Sequence, residues 1–465
     1  MTAEAKAPHR GYRGPCVTLM KRLGFQVWSE VRMRTTRGVF EGLVLPRSET
    51  SDELHIVLKL ATGYNIGIRH DTVQAVEVLG HREAVYRIPE RAFPTSPSLP
   101  RVKLFGTGGT IASRLDYRTG AVIPAFTPGE LYGSVPELAD VCNLETEKLF
   151  SVFSENMGPE QYLVLAERIG EAIRAGYDGI VVGHGTDTMH HTAAALSFMV
   201  QRPPVPIVMV GSQRSSDRPS SDAARNLLSA TWAAAHGPIA EVVVCMFGPT
   251  SDRYNLLHRG TRVRKMHSST RSTFRTIGDI PLAMIEDGTF TPLAEGWQPR
   301  RADRGVTVRA AYDERVTLVF YYPGMQPDVI DALVEKGYRG IVIAGTGLGH
   351  VNRKIYPALA RARDAGVQMY MTLQTLWGFV QMQVYETGRE ILQLGVVPLA
   401  NMMPEVAFVK LGWAMGLHPD EPEAVRQLMA TPVAGEMTER EPHDGYLILQ
   451  GGVPEVQEFL GRVWR

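Results

Sequence analysis

Three short apolar runs, each followed by a loop of glycines and hydroxyls, constrain this chain more than any other feature. Val102-Lys103-Leu104-Phe105 leads into Gly106-Thr107-Gly108-Gly109-Thr110-Ile111-Ala112-Ser113. Gly179-Ile180-Val181-Val182 leads into Gly183-His184-Gly185-Thr186-Asp187-Thr188-Met189. Pro206-Ile207-Val208-Met209-Val210 leads into Gly211-Ser212-Gln213-Arg214-Ser215-Ser216-Asp217-Arg218-Pro219. Helical spacing over Glu160 to Ala175, Thr192 to Val200 and Ala223 to Ala235 separates or follows them. Strand and helix patterns in alternation predict a parallel sheet covered by helices on both faces. In such a sheet ligands collect at the carboxyl ends of the strands. The three loops are therefore expected to meet along one edge.

The loop residues suit acyl chemistry better than the alternatives. Glycines let backbone N–H groups approach a substrate closely, and such donors stabilise an oxyanion by about 3 kcal/mol each. Thr110 stands directly behind them, placed to attack a carbonyl. A threonine hydroxyl needs a base for that. Thr186-Asp187 offers a second hydroxyl beside a carboxylate, and Asp187 suits a substrate ammonium or a neighbouring lysine. For a lone aspartate, capping a helix that starts at Thr188 is the commoner role. The spacing is not GxGxxG and the chain has no GxxxxGK[ST], which argues against a phosphate cradle. His184, His190 and His191 resemble ligands on paper, but without HExxH or a suitably spaced carboxylate no metal site is expected.

Other segments are read by the same rules. Residues 1–85 alternate short strands with glycine turns and predict a small β-barrel domain of SH3-like size. Arg10, Arg13, Lys21, Arg22, Arg32, Arg34 and Arg37 give it a basic bias, either a solvated strand face or a surface for tRNA or another partner. Residues 86–100 carry Pro89, Pro94, Pro97 and Pro100 and read as a linker. Residues 101–297 form the first α/β domain, 298–314 a second linker, 315–418 a smaller α/β domain, and 419–465 an acidic C-terminal extension. Lys+Arg and Asp+Glu each number 49, so bulk-charge coating of nucleic acid is not expected. Three scattered cysteines argue against a disulfide or zinc framework and for a reducing compartment. No apolar run approaches the roughly 18 residues of a membrane helix, and Met1 to Arg10 does not read as a secretory signal. A cytoplasmic protein is the expectation.

Thr107-Gly108-Gly109-Thr110-Ile111-Ala112-Ser113 and His184-Gly185-Thr186-Asp187-Thr188-Met189 resemble the two threonine motifs of the type I/II asparaginase family. The resemblance runs from about Val102 to Trp413. Gly42 to Glu49, Lys59-Leu60 with Gly63 to Ile68, Gly211 to Asp222 and His258 to His267 resemble the D-subunit family of the archaeal-type glutamyl-tRNA(Gln) amidotransferase. It implies an α/β fold: an asparaginase-like two-domain parallel-sheet core behind a small SH3-like barrel.

The same resemblance implies site roles. Thr110 matches the first catalytic threonine and Tyr117 its mobile-loop partner; Thr186, Asp187 and Lys265 match the second threonine, its aspartate and the family lysine. Ser154 and Glu155 match a substrate-binding Ser-Gln pair, with glutamate replacing glutamine. Gly109 and Gly185 would contribute to substrate binding, and Glu386 would reach the site from a partner subunit. Leu348 stands where asparaginases often place asparagine, and Met403-Pro404-Glu405-Val406-Ala407 replaces Thr-Pro-Glu-Ala-Ala. The implied activity is hydrolysis of glutamine, or asparagine, to release ammonia. The amidotransferase E-subunit, as partner, would use it with ATP and Mg to convert Glu-tRNA(Gln) to Gln-tRNA(Gln). This chain would need no cofactor, and a homodimer core would give a heterotetramer. The alternatives are a free-standing asparaginase with an accessory barrel and a non-catalytic assembly protein.

Overall fold

A computed structural model describes residues 8–9, 11–47, 51–62, 64–81, 93–108, 113–116, 121–124, 135–214, 220–249 and 251–442. The N-terminal unit opens with helix α1 (Gly14–Leu23), followed by β1 (Ser29–Thr35), β2 (Gly38–Val44), β3 (His55–Leu60), β4 (Asn65–Arg69) and β5 (Val73–His81). The strands pair antiparallel in the order β4-β3-β2-β1-β5. Register shifts between Glu30 and Val31 and between Arg34 and Thr35 bend β1. β4 and β5 are the two edges, and among the described residues no pairing between them closes a barrel. Lys21 and Arg22 sit in the last turn of α1 rather than on a strand. Cys16, Leu19 and Met20, at helical spacing, bury its inner face against Val31, Met33, Ile56 and Leu58. Arg32 is paired with both Glu41 and Glu77, so part of the basic bias is neutralised locally.

The principal sheet is eight-stranded. Five strands run parallel: β6 (Arg101–Gly106), β9 (Asn143–Lys148), β10 (Gly179–Gly183), β12 (Ile207–Val210) and β13 (Val242–Phe247). β6, β10, β12 and β13 are buried almost throughout, as a sheet covered on both faces requires, while β9 is the polar edge strand. β14 (Asn255–Arg259), β17 (Ala283–Glu286) and β18 (Thr289–Pro292) extend one side antiparallel, so the sheet is mixed rather than wholly parallel. The hairpin β7 (Ser113–Asp116) with β8 (Ala121–Pro124) follows β6. The short strand β11 (Val200–Gln201) pairs with β19 (Thr307–Val308), and β15 (Val263–Lys265) pairs with β16 (Phe274–Thr276). Helices α2 (Pro159–Arg174), α3 (Met189–Met199) and α4 (Ala223–His236) cover the sheet. α2 begins as its sequence dictates: Pro159 occupies the first turn, and the Gly158 N–H donates to Gln161 Oε1 at 2.9 Å.

The second α/β unit has four parallel strands, β20 (Val316–Phe320), β21 (Gly340–Gly345), β22 (Gln368–Leu373) and β23 (Val397–Pro398). Helices α5 (Asp328–Glu335), α6 (Tyr356–Asp364), α7 (Glu386–Gln393), α8 (Pro404–Leu417) and α9 (Pro422–Ala430) accompany it. α8 is buried almost all round and inserts between the two units. Its Trp413 stacks on Phe198 of α3, ring centroids 5.6 Å apart, and one continuous core runs through both units. Burying each such ring is worth about 2–3 kcal/mol, so the two units are held as one block.

Candidate active site

The described beginnings of the loops that leave β6, β10 and β12 lie against one another, and a Cβ on Gly211 of the third would lie 2.9 Å from Thr186 Cγ2 of the second. Thr107 directs its N–H and its hydroxyl to the Gly183 carbonyl, both at 3.0 Å, which joins the first loop to the second. Gly108 has φ of +120°, and a Cβ there would lie 2.2 Å from the Val152 carbonyl oxygen. Only glycine fits that turn. Gly109, Thr110 and Tyr117 lie outside the described residues.

The second loop makes the contacts to Lys265. Thr186 is buried, and Lys265 Nζ donates to its Oγ1 at 2.9 Å. The same Nζ donates to Asp187 Oδ1 at 2.7 Å. Lys265 is 9% exposed and Asp187 68% exposed, so a nearly enclosed amino group faces a carboxylate open to solvent. α3 starts at Met189 with Thr188 as its N-cap, and the Asp187 carboxylate serves the lysine rather than the helix. Thr188 instead donates from Oγ1 to the Ser154 carbonyl at 2.6 Å. That bond brings the turn Ser154–Asn156 against the loop, with Ser154 buried and Glu155 exposed. Gly185 makes the approach feasible, since a Cβ there would lie 2.8 Å from Ser154 Cβ. Thr186, Asp187, Lys265, Ser154 and Gly185 are thus one group, with Glu155 at its rim. Glu386 is elsewhere in the chain: it begins α7, 83% exposed, and pairs with Arg353 at 3.4 Å.

The shell behind the lysine was not apparent in the sequence. Asp222 is fully buried and accepts from the N–H groups of Gln213 and Arg214 and from Asn226 Nδ2, which fixes the start of the third loop against α4. Burial pushes its carboxyl up, and those donors oppose the shift. Arg264, next to Lys265, pairs with the buried Glu405 of α8 at 3.1 Å. Burial raises the Glu405 carboxyl, and Arg264 acts against it. His184 is held between the Gly185 carbonyl (2.6 Å) and Thr192 Oγ1 (2.8 Å), and burial lowers it to about 4. Burial also lowers His191 to about 4 and places His190 well below its ordinary value. These histidines are neutral structural groups around the site. Strand alternation was the available signal for Arg264, which must face away from Val263 and Lys265.

A buried hydroxyl, an amine at 2.9 Å and a carboxylate at 2.7 Å, set at the strand ends of an α/β sheet, define an amidohydrolase-type site on an asparaginase-like fold. The sequence matches the family models "Asparaginase, N-terminal" over residues 101–295, "Glutaminase/Asparaginase C-terminal domain" over 315–429 and "GatD N-terminal domain" over 25–79. It is 46% identical over 434 residues to the D-subunit of the glutamyl-tRNA(Gln) amidotransferase of Thermococcus kodakarensis, covering 92% of this chain and 98% of that one. Against the corresponding D-subunit of Pyrococcus abyssi the identity is 48% over 410 residues, 88% and 93% of the two chains. The thermostable L-asparaginase from Thermococcus kodakarensis superposes with a TM-score of 0.65 and 30% identity, covering 73% of this chain and 99% of that one. L-asparaginase I from Vibrio cholerae gives 0.64 and 27%, covering 73% and 100%. The chain belongs to the D-subunit family of the glutamyl-tRNA(Gln) amidotransferases.

Proposed function

We propose that this chain is the glutamine-hydrolysing component of a tRNA-dependent amidotransferase, and that the Thr186–Lys265–Asp187 group carries its chemistry. The observation that supports this reading best is the pair of contacts from Lys265 Nζ, 2.9 Å to Thr186 Oγ1 and 2.7 Å to Asp187 Oδ1. In its neutral form an amine holds two N–H donors and a lone pair. It then donates to Asp187 and accepts from Thr186 across the same separation. Asp187 stabilises the ammonium formed when the proton moves.

Thr110 is assigned the attacking hydroxyl on its place in the first motif, with Tyr117 as its neighbour from the mobile loop. Attack on the glutamine side-chain carbonyl forms a tetrahedral adduct whose oxyanion is met by backbone N–H groups of the glycine loop. The Thr186–Lys265 pair takes up the hydroxyl proton and returns one to the departing amine, so ammonia leaves and an acyl-threonine ester remains. Water, deprotonated by the same pair, cleaves the ester to glutamate and free threonine. Ser154 and Gly185 seat the α-carboxylate, while Glu155 and Asp187 meet the α-ammonium. These steps call on no cofactor in this chain. ATP and Mg are assigned to the partner E-subunit, which would receive the ammonia and amidate Glu-tRNA(Gln) in the cytoplasm.

A second copy of the chain is assigned the face bearing Phe320, Tyr322, Val384 and Tyr385. These are large apolar groups left exposed on the second α/β unit, and Tyr385 directly precedes Glu386 in the chain.

The deciding experiment measures ammonia release from glutamine by the full chain, alone and with the E-subunit and glutamyl-tRNA(Gln). Release is expected to rise strongly on both additions. Full-rate asparagine hydrolysis by the chain alone, indifferent to both, would establish a free-standing asparaginase instead.

A further inference from the structure

Lys265 stands on a ribbon that cannot position it unaided. Among the described residues β15 pairs with β16 alone, through three residue pairs, and a two-stranded ribbon is marginal in isolation. Its side chains alternate. Val263 is fully buried in the core and Lys265 faces Thr186, while Arg264 pairs with Glu405. Position 262, at the base of the ribbon, holds an arginine that is wholly buried.

That guanidinium sits among three carbonyls. Nη1 donates to Asn401 at 2.9 Å and to Glu436 at 3.1 Å, and Nη2 donates to Gly278 at 2.9 Å. Gly278 has φ of +63°, and a Cβ there would lie 2.3 Å from Nη2, so the seat is shaped for the arginine. The neighbouring Thr261 donates from Oγ1 to the Ala434 carbonyl at 2.8 Å. Two of these four acceptors belong to the stretch 431–442, which lies beyond residue 429, where the match to the asparaginase C-terminal model ends.

The stretch is itself locked to the second α/β unit. Thr438 exchanges two hydrogen bonds with Asn401, at 2.7 and 3.0 Å. Glu441 accepts from the Gly378 N–H at 3.0 Å and from Asn401 Nδ2 at 3.2 Å. Ala400, just before Asn401, holds φ of +48°, a strained conformation that persists only where its surroundings enforce it.

We propose that Arg262 and the C-terminal stretch 431–442 act together as the positioning device for Lys265. The stretch bridges the second α/β unit to the base of the ribbon and fixes the lysine's distance from Thr186. Arg262 touches neither substrate nor reacting atoms. It works through the ribbon, and the C-terminal extension is thereby part of the active-site scaffold. This rests on the catalytic reading of Lys265, so the test includes a readout independent of activity.

The test uses the full chain and two variants, Arg262→Lys and the double variant Thr438→Val/Glu441→Gln. The double variant leaves Arg262 in place and carries the test if Arg262→Lys does not fold. Acetic anhydride labelling followed by peptide mass spectrometry reports the reactivity of Lys265, with exposed Lys336 as the internal standard. Lys265 labelling is expected to rise about fivefold or more, kcat for glutamine to fall roughly tenfold to a hundredfold, and KM to stay within about twofold. Lys265 labelling unchanged in folded variants overturns the positioning role, whatever happens to kcat. Labelling that rises while kcat holds supports the positioning role and instead removes Lys265 from the chemistry.

Discussion

Gly185 and Ser154 are packed so closely that a methyl group on the former would lie 2.8 Å from the Cβ of the latter and 2.9 Å from its Oγ. The glycine therefore sets the spacing between the Thr186 loop and the turn that carries Ser154 and Glu155. Gly185→Ala is expected to push that turn outward. KM for glutamine should rise by roughly tenfold or more, with a smaller change in kcat. Steady-state kinetics on the purified variant check this, and an unchanged KM would detach Ser154 from substrate binding.

Asp187 separates activity from stability. Its side chain is 68% exposed, and an ion pair with so open a member contributes little to folding. Asp187→Asn should therefore leave the melting temperature within about 2 °C of the parent. It removes the carboxylate that stabilises the Lys265 ammonium, so ammonia release should fall by about a hundredfold or more. Calorimetry and a coupled ammonia assay on one preparation test both halves.

β6, β10, β12 and β13 were legible because these parallel strands are nearly continuous apolar runs, and the loops after them carry glycines and hydroxyls; the parallel strand β9 was not, because Asn143–Lys148 is a polar edge strand. The antiparallel addition of β14, β17 and β18 was not legible either, since a short segment such as Asn255–Arg259 sets two leucines among polar residues and carries no sign of its direction. α1 was missed because Gly14–Leu23 interleaves Lys21 and Arg22 with its buried Cys16, Leu19 and Met20. Its ten residues sit beside stronger strand patterns. Thr186 and Asp187 announce themselves as neighbours, but Lys265 is 78 residues beyond Asp187. Nothing local distinguishes it from other lysines, and only the family resemblance singled it out. Arg262 left no mark because its acceptors are backbone carbonyls, which any sequence supplies.

Lys410 and Glu436 form an ion pair with both side chains fully enclosed, 2.6 Å apart. Burial pushes the Lys410 ammonium down, and Glu436 pulls it back. Glu436 also accepts from the N–H groups of Val433 and Ala434, which shapes the stretch that reaches Arg262. Lys410→Met strands a buried carboxylate and should cost about 3–5 kcal/mol, a fall in melting temperature on the order of 10 °C. Lys410→Met/Glu436→Gln should recover part of the loss, because a neutral amide oxygen still accepts from both N–H groups. Thermal denaturation of the two variants decides, and equal losses would show that the stranded charge is not the cause.

Acid should destabilise the fold well before most carboxylates titrate. Burial lowers His184 and His191 to about 4 and His258 to about 3, and places His190 well below its ordinary value. Arg264 and Lys265 face His190, Arg264 also faces His191, and Arg275 faces His258; each adds to the shift. In the unfolded chain these imidazoles take up protons below about pH 6.5, while in the native fold they stay neutral. The unfolded state thus binds more protons between roughly pH 6.5 and 4, so their contribution is complete above that window and is lost as pH falls through it. Glu405 and Asp222 act in the opposite sense, since burial raises their carboxyls and the fold retains protons that the unfolded chain releases. Four histidines against two carboxyls leave a net loss. Urea midpoints should therefore drop clearly between about pH 7 and pH 5. His191→Gln cannot titrate, and the drop should shrink by about 2 kcal/mol in that variant. A drop of undiminished size would mean that His191 already gains its proton in the native state.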